Sequence, residues 1–102
     1  MSNPIQVYQY NTLLLTANVS TDSDITLSLY TPHIKIMTGS TGYYSTTGST
    51  ISASGTTSFT IPASVNVIEP NVYQYEIYIE NGDNVYTIIS DYYTILPSII
   101  NN

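Results

Sequence analysis

The sequence predicts an all-β domain, two antiparallel sheets of short strands packed face to face. Three observations predict it. Helix formers are scarce, and no segment keeps apolar residues at the i, i+3, i+4, i+7 spacing of a helix face. β-branched and aromatic side chains dominate, with 11 Tyr among 102 residues and 42% hydrophobic residues overall, and these fit a pleated surface. Turn-forming clusters of Gly, Pro, Asn, Asp and Ser recur roughly every 8–12 residues, the rhythm of a sandwich or barrel. Residues 1–102 read as a single domain, with apolar mass for one core and too little for two.

Each element follows from its own pattern. Ile5 to Tyr10 and Thr12 to Val19 are the first two strands, followed by a turn at Ser20-Thr21-Asp22-Ser23, whose short polar side chains can bond their own backbone. Asp24 to Thr31 reads as a third strand, because Ile25, Leu27 and Leu29 alternate with polar residues. Pro32 marks a strand end or edge, and His33 to Thr38 follows with Ile34 and Ile36 inward. Residues 39–55 carry four glycines amid Ser and Thr, and read as a long loop or a flexible hairpin pairing Tyr43–Thr47 with Thr50–Ala53. Thr57 to Ile61 is a strand with Phe59 and Ile61 inward, and Val65 to Ile68 is a short piece before a Pro70-Asn71 turn. Val72 to Glu80 has the strongest alternation, placing Tyr73, Tyr75, Ile77 and Ile79 on one face. Asn81-Gly82-Asp83-Asn84 supplies a hairpin turn, Val85 to Ile89 returns, Ser90-Asp91 turns again, and Tyr92 to Leu96 is the last strand. Residues 97–102 form a tail containing Ile99 and Ile100. Seven to nine such strands predict an antiparallel immunoglobulin-like β-sandwich. An up-and-down barrel or small jelly roll competes.

Composition excludes several function classes. Charged residues are only 8%, with one Lys, no Arg and a net charge of −6. A phosphate backbone or an anionic membrane needs clustered cations, so neither nucleic acid nor membrane is an expected partner. Without Cys there is no disulfide framework or thiolate metal site. The start has no basic region and no long apolar stretch, so it does not read as a signal peptide, and synthesis in a cytoplasm is expected. About a quarter of the residues are Ser or Thr. A surface of hydroxyls, amides and phenols favours contact with other protein.

The chemistry-bearing residues are few. His33 is the only imidazole, and no Gly-x-Ser-x-Gly elbow accompanies it, so no catalytic residue and no enzyme is expected. Asp22 and Asp24 could meet a hard cation, but the full calcium-loop pattern is absent and turn-stabilising Asp is the better reading. Neither a metal nor a cofactor is expected. Glu76 and Glu80 stand about 13 Å apart along a strand, too far for a glycosidase pair. The candidate interaction residues are instead aromatic and apolar. Tyr43 and Tyr44 sit among Ser, Thr and Gly like a binding loop, Tyr78 points outward, and the ends carry Tyr8, Tyr10, Ile99 and Ile100. Strand edges with little Lys or Pro to protect them fit coverage by neighbouring chains.

The stretch from Tyr73 to Ile95 reads YQYEIYIENGDNVYTIISDYYTI. It resembles the C-terminal half of the immunoglobulin-like domain of tailed-phage virion proteins, among them capsid decoration proteins and the N-terminal domain of baseplate upper proteins. Those carry a Tyr-x-Tyr-Glu-Ile strand, a Gly turn, a Tyr-Thr-Ile strand and an aromatic-Thr-Ile strand. This chain has Asp91 near where members of that group have glycine. The resemblance implies a non-enzymatic structural protein on the outer surface of a phage virion. It implies a capsid decoration role bridging shell subunits, with the major capsid protein as partner and a homo-oligomer, such as a trimer on a local three-fold axis. A tail, baseplate or fibre-attachment component is the alternative, and a glycan- or host-surface-binding adhesin is a third reading.

Overall fold

The computed structural model describes residues 4–19 and 25–98. Seven strands follow one another: β1 (Ile5–Tyr8), β2 (Leu13–Asn18), β3 (Thr31–Thr38), β4 (Thr41–Thr47), β5 (Thr56–Ile61), β6 (Asn71–Asn81) and β7 (Asn84–Leu96). Five form one sheet in the order β1-β7-β6-β3-β4, and β2 pairs β5 in the other. Every pair is antiparallel except β1 with β7, which runs parallel with Ile5 opposite Tyr93. This is an immunoglobulin-like sandwich, with β7, β6, β3 and β4 standing where strands G, F, C and C′ stand, and β2 and β5 where B and E stand.

Strand alternation builds the core. Tyr75, Ile77 and Ile79 of β6, Ile34 and Ile36 of β3, Phe59 and Ile61 of β5, and Tyr93 and Ile95 of β7 are all sealed from solvent between the sheets. Ile5, Val7 and Ala17 complete the layer. Each large apolar side chain so buried contributes about 1.5–3 kcal/mol. A smaller cluster of Val19, Ile51 and Ile79 closes the end nearest the β6–β7 hairpin, with Leu27, Tyr30 and Tyr86 packed on it.

Tyrosine does structural work at the connection between β5 and β6. The Tyr73 hydroxyl donates to the Glu69 carbonyl four residues upstream at 2.5 Å, the tyrosine corner expected at the start of strand F. The Tyr43 hydroxyl donates to the Val65 carbonyl at 2.7 Å. The Tyr93 hydroxyl donates to Asn66 Oδ1 at 2.6 Å, and Asn66 Nδ2 donates to the Asn11 carbonyl at 2.8 Å. Buried Asn66 is thereby satisfied on both sides, as a buried amide must be.

Three expectations are corrected. Among the described residues of the segment expected as the third strand, Ile25 to Tyr30 is not a strand: Leu27–Leu29 forms a 3₁₀ turn, with Tyr30 N–H bonding the Leu27 carbonyl, and Leu29 turns outward, 68% exposed. Residues 39–55 are not one loop. Thr41–Thr47 is strand β4, paired to β3 through the Gly39-Ser40 turn and not to Thr50–Ala53, with Gly39 at positive φ where a two-residue hairpin needs it. Ser90-Asp91 is not a turn. β7 runs unbroken for 13 residues, absorbing one extra residue as a bulge opposite Ile77 and Tyr78. Pro32 has the edge placement expected of it: it is the second residue of β3, laddered to β6 but lying beyond the β3–β4 ladder, which starts at His33. Its carbonyl accepts from Gly48 N–H, just past the end of β4, so its missing donor falls where no ladder partner remains.

Candidate interaction surface

The same alternation that fills the core sets what the five-stranded sheet shows outside. β6 presents Val72, Gln74, Glu76, Tyr78 and Glu80, and their partners Thr94, Tyr92, Ser90, Thr87 and Val85 on β7 share that face. β3 adds His33 and Lys35, and β4 adds Thr47 and Ser45 opposite them. β1 adds Gln6 and Tyr8. Tyr8, Val72, Val85 and Tyr92 are each more than half exposed. Val72 and Tyr92 are diagonal neighbours, since Val72 faces Thr94 and Gln74 faces Tyr92. The face is broad, aromatic and hydroxyl-rich, with Lys35 set directly opposite Glu76.

Its one tight polar cluster surrounds His33. Nε2 lies 2.7 Å from Glu80 Oε1, and Nδ1 lies 3.3 Å from Thr47 Oγ1. The ring stacks on Tyr78 with centroids 5.0 Å apart. Nε2 is shielded from solvent but makes no aligned hydrogen bond, so its contact with Glu80 is a close approach rather than a directed bond. An acid, an imidazole and a hydroxyl in this order are also the ingredients of a hydrolytic relay. Such a relay needs backbone donors converging on a developing oxyanion. The backbone groups beneath this cluster are committed to the β3–β4 and β3–β6 ladders. The arrangement fixes side chains on a sheet face.

The sequence-derived candidates do not converge. Tyr8 and Tyr78 share the outer face, but their β7 partners are Leu96 and Thr87, about 30 Å apart by strand rise. Tyr10 sits in the β1–β2 turn at φ 69, half-buried, with its N–H on the Asn66 carbonyl at 2.9 Å. Tyr43 and Tyr44 are a correction: they lie on β4, half-buried against the core, because the bulge between Ile36 and Met37 turns Tyr43 inward as an extra residue. Ile99, Ile100, Asp22 and Asp24 lie outside the described residues. Sequence reasoning missed Val72, Val85 and Tyr92. Val72 and Val85 were readable from the alternation of β6 carried through its hairpin, but Tyr92 was not, because the extra residue at Ile88 shifts the outward phase of β7 by one.

Electrostatics add one feature beneath the face. Burial, with the Asp91 carboxylate adding to it, pushes the Tyr75 phenol up to about 12. Burial pushes Tyr93 up further, only partly offset by its hydrogen bond to Asn66. Among the described residues no group of three His, Cys, Asp or Glu could hold a metal ion. No helix there is long and apolar enough to cross a membrane.

No family model and no curated protein matches the chain. Among solved structures, the chain is similar to a protein from Bacteroides vulgatus described as a "putative glycoside hydrolase", with a TM-score of 0.59 and 11% identity over 96% of this chain. The chain spans only 17% of that protein's length. At this identity the likeness shows the fold alone, and the fold it shows is the β-sandwich described above.

Proposed function

We propose that this chain is a non-enzymatic structural protein of a tailed-phage particle, a head decoration protein that binds shell subunits through the outer face of its five-stranded sheet. The observation that carries the contact role is that face: four large apolar side chains, Tyr8, Val72, Val85 and Tyr92, stand more than half exposed, with Val72 and Tyr92 set beside the uncharged Thr94 and Gln74. Aromatic enrichment and charge depletion mark the centre of protein interfaces. The virion placement, the capsid partner and the oligomer rest on the resemblance of residues 73–95. Repeated weak contacts on a symmetric shell would add by multivalency.

The test has two parts. Quantitative mass spectrometry of purified particles should find this chain at hundreds of copies per particle, on the order set by a repeated shell site. Tens of copies would move it to the tail or baseplate, and its absence would remove the reading. The double substitution Val72→Glu with Tyr92→Glu should abolish binding to particles lacking the protein. Thermal stability should stay within about 0.5 kcal/mol of the parent, because both positions are exposed. Binding that survives these charges would place the contact elsewhere.

The likeness to one portion of a protein described as a glycoside hydrolase favours a second reading, an accessory module that meets glycans. Exposed phenols such as Tyr8 and Tyr92 can stack on sugar rings. Specific binding on a glycan array, lost on Tyr92→Ala, would support it over the first.

A further inference from the structure

The β6–β7 hairpin ends in a two-residue loop, Gly82-Asp83, closed by the Asn81–Asn84 pair. Gly82 has positive φ and Asp83 does not, the form in which glycine takes the first loop position. Residues 81 to 85 are all exposed, and a side-chain carbon on Gly82 would meet nothing within 4 Å. The bond that closes a β-turn uses the first carbonyl and the fourth N–H, and the ladder stops at Asn81. Gly82 N–H, at the second turn position, is claimed by neither. Asn81 precedes it, so that nitrogen and the Asn81 amide carbon Cγ can close a five-membered ring.

The other described asparagines are guarded. Asn11, Asn18, Asn66, Asn71 and Asn84 are followed by Thr12, Val19, Val67, Val72 and Val85. All five followers are β-branched, and two heavy atoms on Cβ crowd the backbone nitrogen beside them. Asn66 is further held through both ends of its amide, by the Tyr93 hydroxyl and the Asn11 carbonyl. Asn81 alone precedes a glycine.

We propose that Asn81 is a site of spontaneous, one-way modification, at which the chain converts its own asparagine to isoaspartate. Gly82 N attacks Asn81 Cγ. The N–Cγ bond forms, the Cγ–Nδ2 bond breaks, and Nδ2 leaves as ammonia with the proton of Gly82 N–H. Water then opens the cyclic imide. Entry at the main-chain carbonyl carbon of Asn81 breaks its bond to Gly82 N and leaves the chain running through Cγ, as isoaspartate. Entry at Cγ gives ordinary aspartate. Solvent supplies the water, and nothing is oxidised or reduced. The extended backbone of Asn81 does not aim Gly82 N at Cγ, so the step needs the Asn81–Asn84 pair to open. Fraying at an exposed tip costs far less than unfolding.

Either product adds a carboxylate to a chain whose net charge is −6. Isoaspartate also lengthens the main chain at the end of β6. The two-residue loop then no longer matches the register that sets Glu80 opposite Val85. Glu80 carries the carboxylate that approaches His33, so the change reaches the outer face at that end. The chemistry stands or falls independently of what the face binds.

The full chain is incubated in warm, mildly alkaline buffer and sampled by peptide mapping with mass spectrometry. Isoaspartate is counted by methyl transfer from labelled S-adenosylmethionine through an isoaspartyl methyltransferase. It is expected at Asn81 ahead of every other asparagine, and the reacted fraction should melt at a lower temperature. Hydroxylamine added to the folded chain should cut it between Asn81 and Gly82, through the imide. Asn81→Gln, whose longer side chain disfavours ring closure, should lose both the isoaspartate and the cut. Isoaspartate that forms at Asn81 only in urea overturns the proposal, because the folded hairpin then protects the site. Amide loss spread evenly over the asparagines, or aspartate without isoaspartate, overturns it as well. A reacted fraction that melts like fresh protein overturns the effect on the hairpin.

Discussion

Tyr93 is sealed from solvent, and its hydroxyl is the donor to Asn66 Oδ1. Tyr93→Phe keeps the ring and removes the donor, leaving a buried amide oxygen unpaired. The expected cost is about 1–3 kcal/mol, read as a lower urea midpoint with an unchanged slope. Tyr73→Phe at the corner should cost less, about 0.5–1.5 kcal/mol, because its partner is a backbone carbonyl in a more exposed turn. The buried phenols also tie stability to alkaline pH. Tyr75 keeps its proton to about 12 when folded, against 10.0 as the ordinary value. Between those values the unfolded chain holds fewer protons, so stability falls as pH rises. The contribution is whole below pH 10.0 and lost as pH passes about 12. Melting temperature followed across that window should fall, and Tyr75→Phe should fall less steeply.

The turns test the elements. Gly55 adopts φ +91, and a Cβ there would meet the Val19 carbonyl oxygen at 2.5 Å. Gly55→Ala should lose roughly 1–3 kcal/mol through backbone strain, or about 4–8 °C of melting temperature per kcal/mol. Gly82, at φ +61 in the β6–β7 hairpin, meets nothing within 4 Å. Gly82→Asn should change stability little, since Asn tolerates that conformation. Elements whose side chains alternate cleanly were legible in the sequence: β5 with Phe59 and Ile61 inward, β6 with its tyrosine and isoleucine face, and the hairpin joining β6 to β7. Those that failed did so for local reasons. Ile25, Leu27 and Leu29 alternate like a strand, but no neighbouring edge takes them up, and a 3₁₀ turn lets Ile25 and Leu27 pack while Leu29 faces water. Asp91 looks like a turn residue because its carboxylate can bond the next N–H. It does so, accepting from Tyr92 N–H at 2.8 Å, within an unbroken strand whose ladder to β6 outweighs the local preference. Gly42 and its Ser and Thr neighbours looked like loop, yet β3 supplies the missing order to β4 through pairing that no local pattern records. Of the proposed contact face, Tyr8 and Tyr78 were legible and Tyr92 was not, because the extra residue at Ile88 shifts the outward phase of β7.

Across the described residues, one sheet is wide and the other narrow, so the outer side of the five-stranded sheet is the broader of the two sheet faces. This is why charge introduced at Val72 and Tyr92 should disturb partner binding while sparing the fold. The wide sheet also joins the two ends of the described chain, with Ile5 opposite Tyr93 and Val7 opposite Ile95. On the ribosome, β1 therefore emerges first and its partner last. Ile5 and Val7 must stay uncovered through most of translation, and the nascent polypeptide cannot complete its larger sheet until residue 96 has left the exit tunnel. Ribosome-bound chains stalled with β7 still inside the tunnel should be cut readily by protease, and chains stalled with β7 fully released should resist. Refolding from denaturant should run in milliseconds to seconds, roughly the range for sandwiches built from distant pairings.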